Sequence, residues 1–338
     1  MDRVERLKQS ISKWLIALAI RMITPIVPLL YRVIRSRFIA RDSPAEIQFV
    51  TDDIERFWRA FDLAQNAQNP AEVFQREYLD RASPGLRHSY KFAFRDAKTL
   101  AGVVQDHPKY YRAIRQTTLS IARDDTVRAK ILRNFEQIKV IYPQAKFQDM
   151  YFAIGGLSCG GTANEMGLYL GVEMNTRSTD TPTDELSDWL RQNIGPLEDL
   201  PFLVTHELVH SLQVFANSGS DLGKNLLWKV INEGAADFVA ALASNEKPRG
   251  AYFKYGIEHE PELWPEFSKV MRGSDWSAWL YNGDESKGRP ADLGYFIGHR
   301  IVEAYYERSS DKRRALEEII AMRNPEAILE ASGYGRLF

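Results

Sequence analysis

One cysteine, Cys159, stands in a chain of 338 residues. An intramolecular disulfide framework is therefore excluded, and so is any cysteine-rich zinc site. The chain also lacks net charge: 44 Lys and Arg face 45 Asp and Glu, a formal −1. A near-neutral total with an acidic body offers no concentrated basic surface for phosphate, which argues against a nucleic-acid partner. There is no internal repeat and no low-complexity tract. With 44% hydrophobic and 26% charged residues, the body is neither disordered nor a polytopic membrane protein. At this length a folded chain buries roughly three quarters of its unfolded surface, as one large domain or two lobes.

The near-zero charge hides an asymmetry. Residues 1–41 carry nine basic side chains against Asp2 and Glu5, a net +7 that leaves −8 for the remainder. Within this segment, residues 14–31 (WLIALAIRMITPIVPLLY) hold 14 apolar side chains out of 18. A spanning helix of that length would bury Arg21 near its middle, at about 2.5–3.5 kcal/mol, and basic residues flank it on both sides, so no orientation is favoured. A cleaved signal explains the basic start, but no convincing small-x-small cleavage site follows the apolar run. An in-plane amphipathic helix fits the stripe Val4, Leu7, Ile11, Leu15, Leu18 and Met22. The remaining possibility is an ordinary helix packed on the body. The expectation is membrane association through residues 3–31, drawn to anionic lipid at the cell membrane, with the side left open.

Beyond this segment the pattern predicts a helical lobe over 42–142. Thr51, Asp52 and Asp53 offer helix N-cap chemistry ahead of the stripe Ile54, Phe57, Trp58, Phe61. Further helices are expected over about 70–82, 86–105, 108–122 and 125–140. The composition changes at Tyr142-Pro143, where a second lobe, 143–338, begins. Its first part reads as two strands, 147–154 and 167–174, joined by the glycine-rich GGLSCGGTANEM. Helices follow at 200–216, 224–243, 261–272, 291–307 and 311–322.

The chemistry concentrates in two of these helices. His206-Glu207-Leu208-Val209-His210 places two imidazoles at i and i+4, on one face and about one turn apart, so that both can reach one ion. Glu207 stands beside them, within reach of a water at that ion. Glu233 lies 23 residues beyond His210 in Asn232-Glu233-Gly234-Ala235-Ala236-Asp237. That spacing allows one helix to end, turn at 217–220 and return against the first. Glu233 and Asp237 are also i and i+4. As a solvated pair they would repel mildly; as a site, Glu233 completes a His, His, Glu ligand set and Asp237 orients a histidine through its second ring nitrogen. Gly234, with Ala235 and Ala236, suits close helix packing at some cost in helix propensity.

These two motifs resemble the thermolysin-like gluzincin metallopeptidases, with their HExxH and NExxxD pair. The chain also resembles a family of predicted zinc-dependent proteases of unknown function related to a gliding-motility lipoprotein. That likeness covers about residues 46–308 through TDDIERFWRAFD, ASPGLR, IGGLSCGGT, HELVHSLQ, NEGAADF and GYFIGHRIV. The lipoprotein's attachment cysteine has no counterpart in this amino terminus. The resemblance implies an α+β, zincin-like fold, mostly helical with a small sheet and an active-site helix pair. It implies one zinc ion held by His206, His210 and Glu233, with Glu207 as general base, Asp237 behind the ligands, and a peptide or protein substrate. Tyr295 and His299 are its candidates for stabilising the oxyanion, with Tyr295 favoured. A strand near 147–174 is expected to border the cleft and pair with an extended peptide.

Two rival readings need weighing. Gly156-Leu157-Ser158-Cys159-Gly160 satisfies the G-x-S-x-G pattern of serine hydrolases, which would make Ser158 a nucleophile. That motif needs a helix directly behind the serine, and glycines and a strand follow instead. The other rival is a catalytically inactive, membrane-associated binding module that keeps a zincin-like metal site. The presence of Glu207 weighs against it, because an inactive site has no need of the base.

Overall fold

A computed structural model describes residues 40–216, 225–286 and 288–338. The basic, apolar start of the chain and the 217–220 turn lie outside the described residues. Among those described, no helix is long and apolar enough to cross a membrane. The architecture is α+β, mostly helical around one small sheet.

The first helices are α1 (Asp52–Ala64), α2 (Pro70–Phe74), α3 (Pro84–Ala93), α4 (Ala97–Asp106), α5 (Pro108–Ser120) and α6 (Asp125–Ile141). The stripe of α1 is buried as its periodicity predicts, with Phe57 in ring contact with Trp58, Phe74, Tyr78 and Tyr111. Its start differs from expectation. Thr51 makes no side-chain cap, and the buried carboxylate of Asp53 instead accepts from the amide of Ser83 at 3.0 Å, tying α1 to the head of α3. The helix expected over 86–105 is two: the chain breaks at Arg95, whose φ is +68°, and Asp96 restarts it by accepting from the amide of Thr99 at 2.8 Å.

The sheet contains β1 (Phe49–Val50), β2 (Met150–Ala153), β3 (Gly161–Asn164) and β4 (Gly167–Gly171), in the order β1-β2-β4-β3. The two strands expected from their apolar runs, β2 and β4, pair in parallel, with Met150 opposite Leu168. Between them the glycine-rich connection forms β3, antiparallel to β4 and at the edge of the sheet. Periodicity could not reveal β3, because Gly161-Thr162-Ala163-Asn164 has no apolar alternation.

The remaining helices are α7 (Asp188–Asn193), α8 (Leu200–Ala216), α9 (Leu226–Ser244), α10 (Ala251–Val270), α11 (Leu293–Arg308), α12 (Lys312–Ala321) and α13 (Pro325–Ser332). α10 starts ten residues earlier than the helix expected over 261–272 and passes through Pro261 and Pro265. Each proline removes one donor, but Phe253, Gly256, Leu263, Trp264 and Phe267 keep a common buried face. One continuous apolar core runs from Ile47 to Tyr334. α6 joins it directly to α8, where Asn134 donates to Thr205 Oγ1 at 3.1 Å.

α9 is the central helix, packed against both α8 and α11. Its glycine serves the second of these neighbours. A Cβ at Gly234 would stand 2.0 Å from the carbonyl carbon of Gly298, and one at Gly298 would stand 1.9 Å from the carbonyl oxygen of Val230. The close packing read from Gly234 is thus present, but it is made against α11. Gly234→Ala is expected to force the two backbones apart and cost about 1–3 kcal/mol, the usual range for overpacking. Urea unfolding of the variant would measure it, and an unchanged midpoint would contradict so tight a crossing.

Candidate metal centre

α8 and α9 bring their polar faces together inside this core. His206, Glu207, Glu233 and Asp237 are all buried, and His210 is partly so. The Nε2 atoms of His206 and His210 lie 3.0 Å apart. Glu233 Oε2 is 3.1 Å from Nε2 of His210 and 3.5 Å from Nε2 of His206. Each of the three residues thus offers one ligand atom, all within 4.8 Å of one another.

The other ring nitrogens decide what this cluster can hold. His206 Nδ1 is 2.8 Å from Asp237 Oδ1, and His210 Nδ1 is 2.7 Å from Gln213 Oε1. Gln213 Nε2 donates to the carbonyl of Asn232 at 2.9 Å, which turns its oxygen toward the imidazole. The Asp237 carboxylate can only accept, so His206 carries its proton on Nδ1; at His210 Nδ1 the Gln213 oxygen, at 2.7 Å, is nearer than the amide nitrogen of Asn232, at 3.3 Å, and sets the same tautomer, so that both rings present a bare lone pair at Nε2. Two lone pairs and a carboxylate oxygen then face one another at hydrogen-bond distance. Only a positive charge between them removes that repulsion. Two ligands each 2.0–2.1 Å from one tetrahedral ion would stand about 3.3 Å apart, and the observed separations bracket that value. The donor set fits zinc.

Protons compete for the same lone pairs. Burial opposes the charged form of His206, but hydrogen bonds to Asp237 and Glu233 outweigh it and raise its proton affinity well above that of an ordinary histidine. Burial equally opposes ionisation of Glu233, yet His210 and His206 hold its carboxylate well below the usual range. Glu207 shows the opposite balance: burial raises it, and the two imidazoles offset this only in part.

A cleft of about 1020 Å³ opens over the cluster. The edge strand and its approach, from Ser158 to Thr162, form one wall, and Tyr252, Tyr281 and Tyr295 line another. Glu207 sits directly on the edge strand. A Cβ at Gly161 would lie 2.7 Å from Glu207 Cγ and 2.9 Å from Oε1, so the glycine makes room for that carboxylate. Tyr295 lines the cleft with its ring stacked near that of His206, 6.0 Å between centroids. His299, one turn further along α11, is placed elsewhere. Its ring packs edge-on against Phe253 and Phe238, it is 4% exposed, and it is not among the cleft-lining residues. Ser158 borders the cleft, but its hydroxyl donates to the carbonyl of Ala93, and the element behind it is β3 and not a helix.

Four polar contacts have no counterpart among the sequence expectations: Gln213 and Asn232 on His210, Tyr252 on Asp237 and Tyr281 on Glu233. Gln213 was within reach, being three residues along the same helix face. The tyrosines come from other elements and have no local signature.

These two helices and their three converging ligand atoms define a mostly helical α+β protein with a HExxH-type site able to hold a metal ion. The family model described as "Predicted Zn-dependent protease (DUF2268)" matches residues 155–330, and the chain belongs to that family. No curated protein and no solved structure matches the chain.

Behind the cleft wall lies a buried carboxylate outside the cluster. Glu173 accepts from the amides of Gly155 at 2.8 Å and Leu157 at 3.3 Å, holding the turn that leads into β3. Burial pushes its pKa up to about 7, against the pull of those amides. The folded protein therefore binds this proton more tightly than the unfolded chain does. Stability from this group is fully present below the unfolded value and is lost as pH rises toward 7, by about 1.4 kcal/mol per unit. Glu173→Gln is expected to flatten that slope between pH 5 and 7 in denaturant titrations. Identical slopes in variant and wild type would show that Glu173 stays ionised.

Proposed function

We propose that the chain is a zinc-dependent endopeptidase of the gluzincin type. The observation that carries this reading is the convergence of His206 Nε2, His210 Nε2 and Glu233 Oε2 beside the carboxylate of Glu207, on the floor of an open cleft. When bound there, zinc would supply Lewis acidity toward a carbonyl and lower the pKa of water.

The remaining steps belong to the chain's own residues. β3 is an edge strand on the cleft, so an extended peptide can add to it by main-chain hydrogen bonds, with Gly160 and Gly161 allowing close approach. Glu207 takes a proton from the attacking water as the new C–O bond forms. It then returns that proton to the amide nitrogen as the C–N bond breaks. Tyr295, lining the cleft beside His206, donates its hydroxyl to the carbonyl oxygen as negative charge develops there. His299, packed among phenylalanines, supports α11 and takes no part in this scheme.

Purified protein is expected to contain about one equivalent of zinc and to lose both metal and proteolysis to chelators. Glu207→Gln should retain the metal and lose turnover of a generic protein substrate by at least about a hundredfold, the scale of a general base. Undiminished hydrolysis by that variant would refute the assignment of the base, and an active metal-free preparation would refute the zinc.

We also assign the basic, apolar segment before the body to attachment at an anionic membrane surface, on its composition of +7 around an apolar stretch. The full chain is expected to sediment with anionic vesicles at low salt and a chain beginning at residue 42 to remain in the supernatant. Equal partition of the two would remove this role.

A further inference from the structure

Each of the two carboxylates on α9 turns one oxygen toward a histidine, and each has its other oxygen taken by a tyrosine hydroxyl. Tyr252, at the start of α10, donates to Asp237 Oδ2 at 2.7 Å. Tyr281 donates to Glu233 Oε1 at 2.6 Å. The first contact is made by a residue in an ordinary helix. The second is made by a residue outside any helix or strand, 60% exposed, in a backbone conformation that side chains rarely adopt.

The φ of Tyr281 is +55°, in the left-handed region that favours glycine. Such a conformation persists only where its surroundings over-determine it. Here they do. The amide of Tyr281 donates to Asp292 Oδ1 at 2.6 Å. Asp292 is itself left-handed, with φ +63°, and its own amide donates to Asn282 Oδ1 at 2.9 Å. The residues just before Tyr281, Trp279 and Leu280, are buried, and the carbonyl of Trp279 accepts from the amide of Gly294 at 2.8 Å. Two strained residues are thus cross-bonded to each other and to the head of α11. The product of that arrangement is one phenol hydroxyl set on the oxygen of Glu233 that faces away from the imidazoles.

A carboxylate offering one oxygen to a metal can rotate to offer the other, or both. A donor fixed on Oε1 opposes that rotation and leaves Oε2 facing His206 and His210. The geometry points to Tyr281 as a positioning residue for Glu233, acting through its hydroxyl to retain the metal. This rests on the reading of His206, His210 and Glu233 as the ligands. It also makes the loop before α11 part of the metal centre, although none of its residues belongs to the two motifs.

The test is zinc affinity of the full chain, measured by competition with a chromogenic chelator, for wild type, Tyr281→Phe and Tyr281→Ala. Removal of the hydroxyl alone is expected to weaken binding 10–100-fold, as loss of an outer partner of a ligand typically does. Tyr281→Ala should weaken it to a similar degree, and the metal-free unfolding midpoint of Tyr281→Phe should match that of wild type. Wild-type affinity in Tyr281→Phe, or a loss confined to Tyr281→Ala, would overturn the role of the hydroxyl. A parallel fall in the metal-free midpoint of Tyr281→Phe would also overturn it, by assigning the effect to folding. Failure of wild type to bind zinc, or undiminished binding by His210→Ala, would remove the ligand assignment itself and the Tyr281 role with it.

Discussion

The structure depends on one electrostatic constraint: two imidazole lone pairs and a carboxylate oxygen are held about 3 Å apart in a buried site. Left to themselves these groups repel, and burial strengthens the repulsion by excluding water. A cation resolves it, and so, less completely, does a proton. The fold therefore has to keep the three atoms together against their own field. It does so by giving each a second attachment that cannot follow another partner: Asp237 behind His206, Gln213 behind His210 and a tyrosine on Glu233.

Holding the atoms also requires that the helices carrying them not drift. α9 meets α11 at Gly234 and Gly298 with no side chain between the backbones, and α8 is pinned to α6 through Asn134 and Thr205. Gly161 plays the same part at the sheet, where a missing Cβ lets Glu207 lie on the edge strand. At Gly234, Gly298 and Gly161 the absence of a side chain fixes how closely the neighbouring element approaches. α6, from the first half of the chain, thus bears directly on the helix that carries both histidines.

The convergence of His206, His210 and Glu233 was legible in the spacing of two helical motifs. His206 and His210, and likewise Glu233 and Asp237, share a face because a helix repeats every 3.6 residues. The glycine at 234 signalled close packing correctly but not its partner, since one glycine is equally compatible with α8 or α11 as neighbour. Tyr295 and His299 share a helix face at i and i+4, yet of the two only Tyr295 lines the cleft, and His299 turns into a phenylalanine cluster. Strand β3 lies inside the glycine-rich connection expected only to join two strands, because an edge strand of Gly, Thr, Ala and Asn is held by main-chain hydrogen bonds that leave no mark on side-chain pattern.

By itself the sequence determined which residue types share a helix face, because that spacing follows from backbone geometry whatever surrounds it. Tertiary structure decided which nitrogen of each ring is free, which oxygen of each carboxylate faces the centre, and which tyrosines reach it. Those choices depend on partners distant in the chain, 48 residues away in the case of Tyr281 and Glu233. They are set by how close-packed segments meet, and local periodicity carries no record of that.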